Sequence, residues 1–258
     1  PTLLMLLLFV ILIAMSWGYN EIFTGRAALL HLGAFTATIM TANVFFIIMP
    51  NQRIVVKDLQ EGRTPDAKYG KIAKLRSTHN NYLTLPVIFL MLSNHYPLSF
   101  GTEYSWIIAS LVFLTGVTIR HYFNTMHATG KGPHWTWGVT IMLMLIIAWL
   151  STAGPTETVE EAGLRPLTAV EQQYASADGF EAAYDTVLGN CSMCHAREPF
   201  WNNMQWAPKG VYLETQADVA RYADQIYLHA GLSRAMPPPN AIQMSDEARA
   251  TIVAWIRE

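Results

Sequence analysis

The sequence predicts an all-α protein, a polytopic transmembrane helical bundle of about five spans followed by a small all-α domain. Of the 258 residues, 52% are hydrophobic and only 14% are charged, which is too apolar for an ordinary soluble protein. The charges are divided unevenly, because residues 1–151 hold 10 Lys and Arg against 5 Asp and Glu, whereas residues 152–258 hold 7 against 14. The two parts of the chain are therefore expected to face different surroundings.

The predicted spans are the apolar stretches of the first part. A helix that crosses a bilayer needs about 17 to 25 mostly apolar residues, and five stretches approach this length: 1–17, 27–49, 80–97, 105–123 and 134–153. The third is the weakest, because Pro86 lacks a backbone donor and should kink the helix. The first apolar stretch has no basic segment before it, which disfavours a signal peptide. We expect a fragment that begins inside a transmembrane helix, so the number of spans is a lower bound.

The orientation of the bundle follows from its short loops, because an excess of Lys and Arg marks the cytoplasmic side. The loop 50–79 is rich in basic residues, whereas the loop 98–104 has none. The fifth helix should then deliver the chain to the outer face of the membrane. No nucleic-acid partner is expected, since the only basic surface faces lipid headgroups.

Three regions are predicted: a membrane domain at 1–153, a linker at 154–176 and a soluble domain at 177–258. The linker is polar, acidic and interrupted by prolines. In the soluble domain, Ser245 is the expected N-cap of a final helix that has Trp255 on its apolar face.

The soluble domain contains the motif C-x-x-C-H, formed by Cys191, Cys194 and His195. Two thiols at this spacing add to the two vinyl groups of one haem, and the adjacent imidazole becomes the proximal iron ligand. A zinc half-site and a disulfide are the alternatives. Zinc needs further Cys or His ligands at close spacing, and the next histidine is His229. The motif therefore predicts one covalent haem c.

The sixth iron ligand is expected to be a methionine sulfur from later in the chain. Met236 lies in the proline-rich stretch "RAMPPPN", which should restrict the position of its sulfur. Met204 and Met244 are the competing candidates. Iron with His195 and Met236 as axial ligands has no open position, so this domain should carry electrons and bind no substrate.

Residues 177–258 resemble a small class I cytochrome c domain, on the evidence of Cys191, Cys194, His195, Met236 and Trp255. In bacteria, domains of this family acquire their haem outside the cytoplasmic membrane. The resemblance therefore implies a multi-pass protein of the bacterial inner membrane with its cytochrome c domain in the periplasm, which agrees with the orientation derived from the loops.

Histidines of the membrane part fall at two predicted depths, and ionisable groups inside membranes are functional candidates. The outer pair, His31 and His95, is a candidate ligand pair for a b-type haem or another metal. The inner group contains His79, His121, His127 and His134, with Arg76 and Arg120 nearby. Arginines and amides beside histidines suit a planar anionic ligand. Alternatively, the histidines are interfacial and the arginines only mark the cytoplasmic side.

The order of the parts, with "RSTHNNYLTLPVIFLMLSNHYP" and "TIRHYFNTMHATGKGPHWTW", resembles the membrane-bound urate hydroxylases fused to a cytochrome c domain. The resemblance covers essentially the whole chain and implies oxidation of urate to 5-hydroxyisourate with oxygen from water. Electrons would leave through the cytochrome to the respiratory chain. From the histidine map we expect urate near Arg76 and Arg120, with His79 or His121 as the proton acceptor.

Two other functions remain open. A membrane-tethered cytochrome c could act only as an electron shuttle, although such a protein needs one anchor rather than five spans. A haem-based sensor is the other alternative, and it would favour an open sixth position. The acidic soluble domain predicts that the electron acceptor, a terminal oxidase or a soluble protein, carries a basic docking patch and binds more weakly at high salt.

Overall fold

A computed structural model of the chain describes residues 2–154, 165–201, 204–238 and 241–257. These residues contain helices and no strands, so the all-α class predicted from the sequence is confirmed for them. The chain divides into two compact units, Pro1–Ala153 and Gly154–Glu258.

The first unit is a bundle of six α-helices. They are α1 (Thr2–Ile22), α2 (Gly25–Ala42), α3 (Met49–Gln60), α4 (Ala67–Leu92), α5 (Ser105–Thr129) and α6 (Trp135–Thr152). A π-helical segment, Asn43–Ile48, joins α2 to α3 without a break, and the 3₁₀ turns Ser93–His95 and Pro97–Ser99 follow α4.

Four helical segments of the described residues are long and apolar enough to cross a membrane: Met5–Ile22, Gly25–Gln60, Ser105–Thr129 and Trp135–Thr152. This finding is consistent with membrane association. The third predicted span, 80–97, is corrected in its bounds, because its helix begins at Ala67 and ends at Leu92. Helix α4 is not among the four candidates, so the span count of five stays a prediction.

The predicted basic loop 50–79 is mostly helical, which corrects the sequence-based assignment. Residues 25–60 form one continuous helix of 36 residues, which at 1.5 Å per residue is about 54 Å long. A hydrocarbon core is only about 30 Å thick, so the basic end of this helix extends beyond it. The connection to α4 is short, and Asp66 caps α4 by accepting a bond from Lys68 N at 2.9 Å.

Helix α4 packs between α2 and α5, and α6 packs on the other side of α5. Helices α4 and α5 are antiparallel, because Tyr82 meets His121 whereas Pro86 meets Gly116. Gly116 allows the close approach, since a Cβ atom there would lie 2.4 Å from Pro86 Cδ. The helix thus continues through the predicted kink residue, whose ring faces a position without a side chain. The core between the helices consists of Leu12, Leu29, Leu32, Leu83, Leu90, Ala109 and Phe113.

The second unit is a small helical domain. Its α-helices are α7 (Ala169–Ser176), α8 (Phe180–His195), α9 (Gln216–Arg221), α10 (Ala223–Ile226) and α11 (Asp246–Arg257), with a π-helical segment at Tyr227–Leu232 and a 3₁₀ turn at Pro208–Gly210.

Helix α7 lies within the segment that the sequence assigned to a linker. Thr168 and Glu171 form a reciprocal capping box at its start, in which each side chain accepts a bond from the other residue's backbone N–H. Tyr174 and Ala175 of α7 pack against the core of the second unit. Residues 155–164, the other part of the predicted linker, lie outside the described residues.

The first and last long helices of this unit pack together. The Phe180 and Trp255 rings are 5.5 Å apart between their centres, and Trp255 is buried and donates from Nε1 to Tyr174 O at 2.9 Å. Ser245 accepts a bond from Ala248 N at 3.1 Å, which confirms the N-cap predicted for α11.

Candidate functional site

A polar cluster lies where α4 meets α2 and the π-helical segment. The Asn80 side chain donates from Nδ2 to Met40 O at 2.8 Å and accepts at Oδ1 from Asn43 Nδ2 at 2.9 Å. Asn43 is the first residue of the π-helical segment. Single π-helical turns within α-helices are frequent at functional sites. This irregular turn and its amide contacts therefore mark the α2–α4 contact as a candidate site.

A second set of polar contacts joins α4 to α5. The Tyr82 hydroxyl lies 2.9 Å from His121 Nδ1, and Arg120 donates from Nε to Asn81 O at 3.1 Å. The His121 ring also lies 6.1 Å from the Trp135 ring, measured between centres. Since the phenol occupies Nδ1, Nε2 is the nitrogen left for other chemistry. With Nδ1–H donated to the phenol oxygen, Nε2 is a proton acceptor.

Two buried amide atoms near these contacts have no hydrogen-bond partner among the described residues. They are Asn81 Oδ1, an acceptor, and Asn124 Nδ2, a donor. Asn124 follows Arg120 by one turn on the same face of α5. A buried polar atom without a partner costs about 1–3 kcal/mol, so these atoms are candidates to bond a ligand or water.

The four residues predicted to be catalytic fall into two groups. Arg120 and His121 lie at the α4–α5 contact with defined partners. Arg76 and His79 are half-buried and one turn apart on α4, and no hydrogen bond or ion pair joins them to another residue in the described ranges. The geometry thus favours Arg120 and His121 as the better-defined pair, while the roles of all four stay predictions.

The two remaining inner histidines are both exposed. His127 lies near the end of α5, and the His134 ring lies 5.5 Å from the Tyr122 ring, measured between centres. Neither contacts the Tyr82–His121 pair by a hydrogen bond within the described residues.

Sequence reasoning did not single out Tyr82 or Asn43. The signal for Tyr82 was the run of five polar or aromatic residues at 78–82, which covers every face of a helix. Asn43 was visible as an amide inside an apolar stretch, where polar groups are costly unless they are paired.

The outer histidines do not contact each other. His31 stacks on Phe23 with ring centres 4.5 Å apart and bonds Ala27 O through Nδ1 at 2.7 Å. His95 lies in the 3₁₀ turn after α4 rather than in the helix. Both side chains are exposed, and no hydrogen bond or ring contact joins them in the described part of the chain. A b-type haem at this pair stays a prediction.

The C-x-x-C-H motif forms the last turn of α8. Cys191 and Cys194 are free thiols, and burial, with a smaller contribution from Cys194, raises the pKa of Cys191 to about 12. His195 bonds Val211 O through Nδ1 at 2.8 Å. Burial lowers the pKa of His195, and the bond to Val211 opposes this shift. The imidazole is therefore neutral near pH 7, with Nε2 uncommitted.

The segment that orients His195 is itself held at several points. Leu213 N donates to His195 O at 2.8 Å, and Tyr184 donates its hydroxyl to Glu214 O at 2.9 Å. Arg197 donates to Glu214 through both its backbone N and Nη1, each at 2.8 Å. The acceptor for the His195 ring is thus rigidly placed, as is common for metal-bound histidines.

The three candidate methionines differ in their surroundings. Met236 is partly buried against the core that also contacts Cys191, and its backbone N donates to His229 O at 2.9 Å. Met244 is a buried member of that core, which indicates a packing role. Met204 bonds Trp201 O through its backbone N. These surroundings favour Met236 without testing its role as a ligand.

Among the described residues, no group of three or more His, Cys, Asp and Glu side chains is arranged to hold a metal ion directly. The donors that the motif offers are two thiols and one neutral imidazole, and this set fits a covalently attached haem.

Together these features define a helical protein in which four described segments are long and apolar enough to cross a membrane, with polar contacts between the helices of the first unit and a second helical unit. Residues 1–151 match the model of the family described as Urate oxidase N-terminal, and the chain belongs to this family. Neither the curated proteins nor the solved structures contain a significant match to the chain. The family indicates an enzyme with a urate-related function.

Proposed function

We propose that the chain is a membrane-bound oxidoreductase that hydroxylates urate to 5-hydroxyisourate and passes the electrons to a c-type haem in its second unit. The observation that carries the proposal is the contact of Arg120 and His121 with α4, inside the residues that match the urate oxidase family. The C-x-x-C-H motif supports the electron-transfer part.

The polar contacts between α4 and α5 suit urate as a ligand. Urate is a planar anion at neutral pH and presents alternating N–H and C=O groups. Arg120 supplies a cation, and the buried amides supply an acceptor at Asn81 Oδ1 and a donor at Asn124 Nδ2. An N–H and C=O edge of urate would give a hydrogen-bond partner to each of these two atoms, and the bonds would offset the free-energy cost of burying them.

The reaction needs a base for water. In the proposed step, a water oxygen bonds to C5 of urate while His121 accepts a proton from that water at Nε2. Tyr82 holds the ring through Nδ1 and so keeps Nε2 directed to the water. Urate and water together lose two protons and two electrons for each oxygen atom gained, and the electrons would pass one at a time to the haem of the second unit. His79 is the alternative base.

Cys191 and Cys194 would hold the haem through thioether bonds, with His195 and Met236 as axial ligands. When bound, this group would supply a one-electron carrier. The bond of His195 to Val211 O fixes the tautomer that leaves Nε2 for iron. The proposal also includes a second haem, of the b type, held by His31 and His95. The geometry supports this part least, because both side chains are exposed and no contact joins them among the described residues.

The proposed location is the bacterial inner membrane, with the second unit in the periplasm. The 14 acidic against 7 basic residues of 152–258 favour an acceptor with a basic docking patch, either a terminal oxidase or a soluble protein. The runner-up function is a membrane-tethered cytochrome c that only shuttles electrons. It accounts for the C-x-x-C-H motif but leaves the cluster around His121 without a role.

The source of the oxygen tests the enzyme proposal. Membranes that contain the protein are supplied with urate in water labelled with oxygen-18. The first product is trapped, and its mass is determined by mass spectrometry. We expect the label in 5-hydroxyisourate and no hydrogen peroxide. Product oxygen that comes from dissolved oxygen would refute hydroxylation by water, and hydrogen peroxide formed in step with the product would refute electron transfer to the haem. Membranes with the His121→Ala variant serve as the control.

A further inference from the structure

Arg249, on α11, bonds three backbone carbonyls of the segment that carries Met236. Its Nη1 donates to Ala230 O at 2.6 Å, to Ser233 O at 3.2 Å and to Met236 O at 2.9 Å. The segment leaves a π-helical turn and has no regular secondary structure after Leu232. One side chain thus fixes the path of the chain from Ala230 to Met236.

The backbone of Met236 is bonded on both sides. Its N–H donates to His229 O at 2.9 Å, and its carbonyl accepts from Arg249. The segment also approaches α11 closely, because a Cβ atom at Gly231 would lie 3.1 Å from Val253 Cγ2. These restraints hold the backbone of Met236, and with it the position from which the side chain starts.

The Arg249 cation also lies near the haem-attachment motif. It interacts electrostatically with Cys191, where it opposes the effect of burial on the thiol. Its Nε atom is buried and has no partner among the described residues. The residue is half-buried, so its charge is screened less by water than that of a fully exposed arginine.

We propose that Arg249 is the positioning residue that holds Met236 as the sixth ligand of the haem iron and that its charge raises the reduction potential. The inference rests on the proposed electron-transfer function of the second unit. A nearby fixed cation favours the reduced state, which carries one positive charge fewer. Arginine suits the task because its planar guanidinium holds its donors in a fixed arrangement, whereas the ammonium of lysine is a point charge on a flexible stem.

The test compares full-length variants purified in detergent. Arg249→Gln removes the charge and most of the bonds, and Arg249→Lys keeps the charge but reaches fewer carbonyls. Arg257→Gln is the matched control, because Arg257 lies on the same helix and, among the residues that the structure describes, bonds only the Tyr227 hydroxyl. Covalent haem staining and far-ultraviolet circular dichroism establish that each variant is assembled.

The readouts are the sulfur-to-iron charge-transfer band of the oxidised protein, the affinity for added imidazole and the midpoint potential. For Arg249→Gln we expect a weaker band, a lower potential and imidazole binding about tenfold tighter, equivalent to about 1.4 kcal/mol. Arg249→Lys should bind imidazole more tightly than wild type yet keep a potential closer to it. Arg257→Gln should match wild type in all three.

Unchanged band, potential and imidazole affinity in assembled Arg249→Gln protein would overturn the inference. If that variant does not assemble, Arg249→Lys decides, and wild-type imidazole affinity in it would overturn the positioning role. Wild-type protein without covalent haem, or without the charge-transfer band, would instead refute the proposed ligand set itself, and the inference with it.

Discussion

Tyr82 and His121 lie on antiparallel helices, 39 positions apart in the sequence, with the phenol oxygen 2.9 Å from the imidazole Nδ1. The contact joins α4 to α5 at the level where Arg120 bonds Asn81 O. When Nδ1–H donates to the phenol oxygen, Nε2 is the nitrogen that can accept a proton. Within the family match, this pair is the best-defined acid–base group of the bundle.

Replacement of His121 by alanine tests its role as the base. We expect urate turnover to fall at least about a hundredfold, the lower range for loss of a general base, while the covalent haem spectrum is unchanged. Tyr82→Phe should lower kcat less, because the imidazole remains but loses its orientation. His127→Ala, at an exposed position of the same helix, is the control and should turn over urate normally. Full activity in His121→Ala and in His79→Ala would remove histidine from the mechanism.

Replacing the unpaired amide of Asn124 by an apolar side chain should weaken substrate binding without lowering the stability of the protein. Asn124→Leu removes a buried donor that has no partner among the described residues, so thermal stability should be unchanged or slightly higher. If urate bonds this amide, its KM should rise about tenfold, equivalent to about 1.4 kcal/mol. Steady-state kinetics and thermal unfolding of the same preparation measure both quantities. A KM equal to that of wild type would exclude Asn124 from the urate site.

Arg120→Lys keeps the cation but loses the planar donor group that bonds Asn81 O. We expect a higher KM for urate and a smaller change in kcat, because the anion is still attracted but poorly oriented. Arg76→Lys is the comparison, since Arg76 has no bonded partner in the described ranges. If Arg76→Lys raised KM while Arg120→Lys did not, the substrate would lie nearer the start of α4.

The close approach of Gly116 to Pro86 predicts that a methyl group there separates α4 from α5. Gly116→Ala should destabilise the bundle by about 1–3 kcal/mol and lower urate turnover by displacing His121 from Tyr82. Gly138→Ala on α6 is the matched control, because a Cβ atom at Gly138 would contact nothing within 4 Å. Thermal unfolding in detergent measures the difference. Equal unfolding temperatures for the two variants would contradict the packing.

The capping box of α7 predicts a pH-dependent contribution to the stability of the second unit. The backbone N–H of Thr168 holds the pKa of Glu171 below its ordinary value of 4.5. Since the pKa is lower in the folded state, the contribution is present above the unfolded value and is lost as pH falls through the folded pKa. Glu171→Gln should therefore be less stable than wild type near pH 7, and the difference should disappear in acid. A pH-independent difference would contradict the role of the carboxylate.

A local sequence signal predicted the cap at Ser245 correctly, because a cap depends on a few adjacent residues. The motif at Cys191 is equally local, and its role in haem attachment stays a prediction. The capping box of Thr168 and Glu171 was also present in the sequence, but the surrounding prolines and acidic residues favoured a linker. In the bundle, apolar stretches indicated the helices but not their ends. The helix that contains α2 continues through the basic residues of α3, and α4 begins at Ala67, before its apolar stretch.

Contacts between distant residues were not predictable from the sequence alone. The bond of Asn80 to Met40 joins positions 40 residues apart along the chain, and the bond of Tyr82 to His121 joins positions 39 residues apart. Spacing within a helix indicates which residues share a face but not which helix they meet. The sequence therefore indicated Arg120 and His121 as candidates, while their bonded partners required the fold, and their roles stay predictions.

Anaerobic reduction of the covalent haem by urate tests the proposed function most directly. The purified full-length protein is oxidised, mixed with urate in the absence of oxygen, and followed by its visible spectrum, with the His121→Ala variant in parallel. We expect reduction of the haem c α-band at two electrons per urate in the wild type and none in the variant. An unchanged wild-type spectrum, with reduction by a quinol instead, would contradict urate oxidation and leave a membrane-tethered electron shuttle.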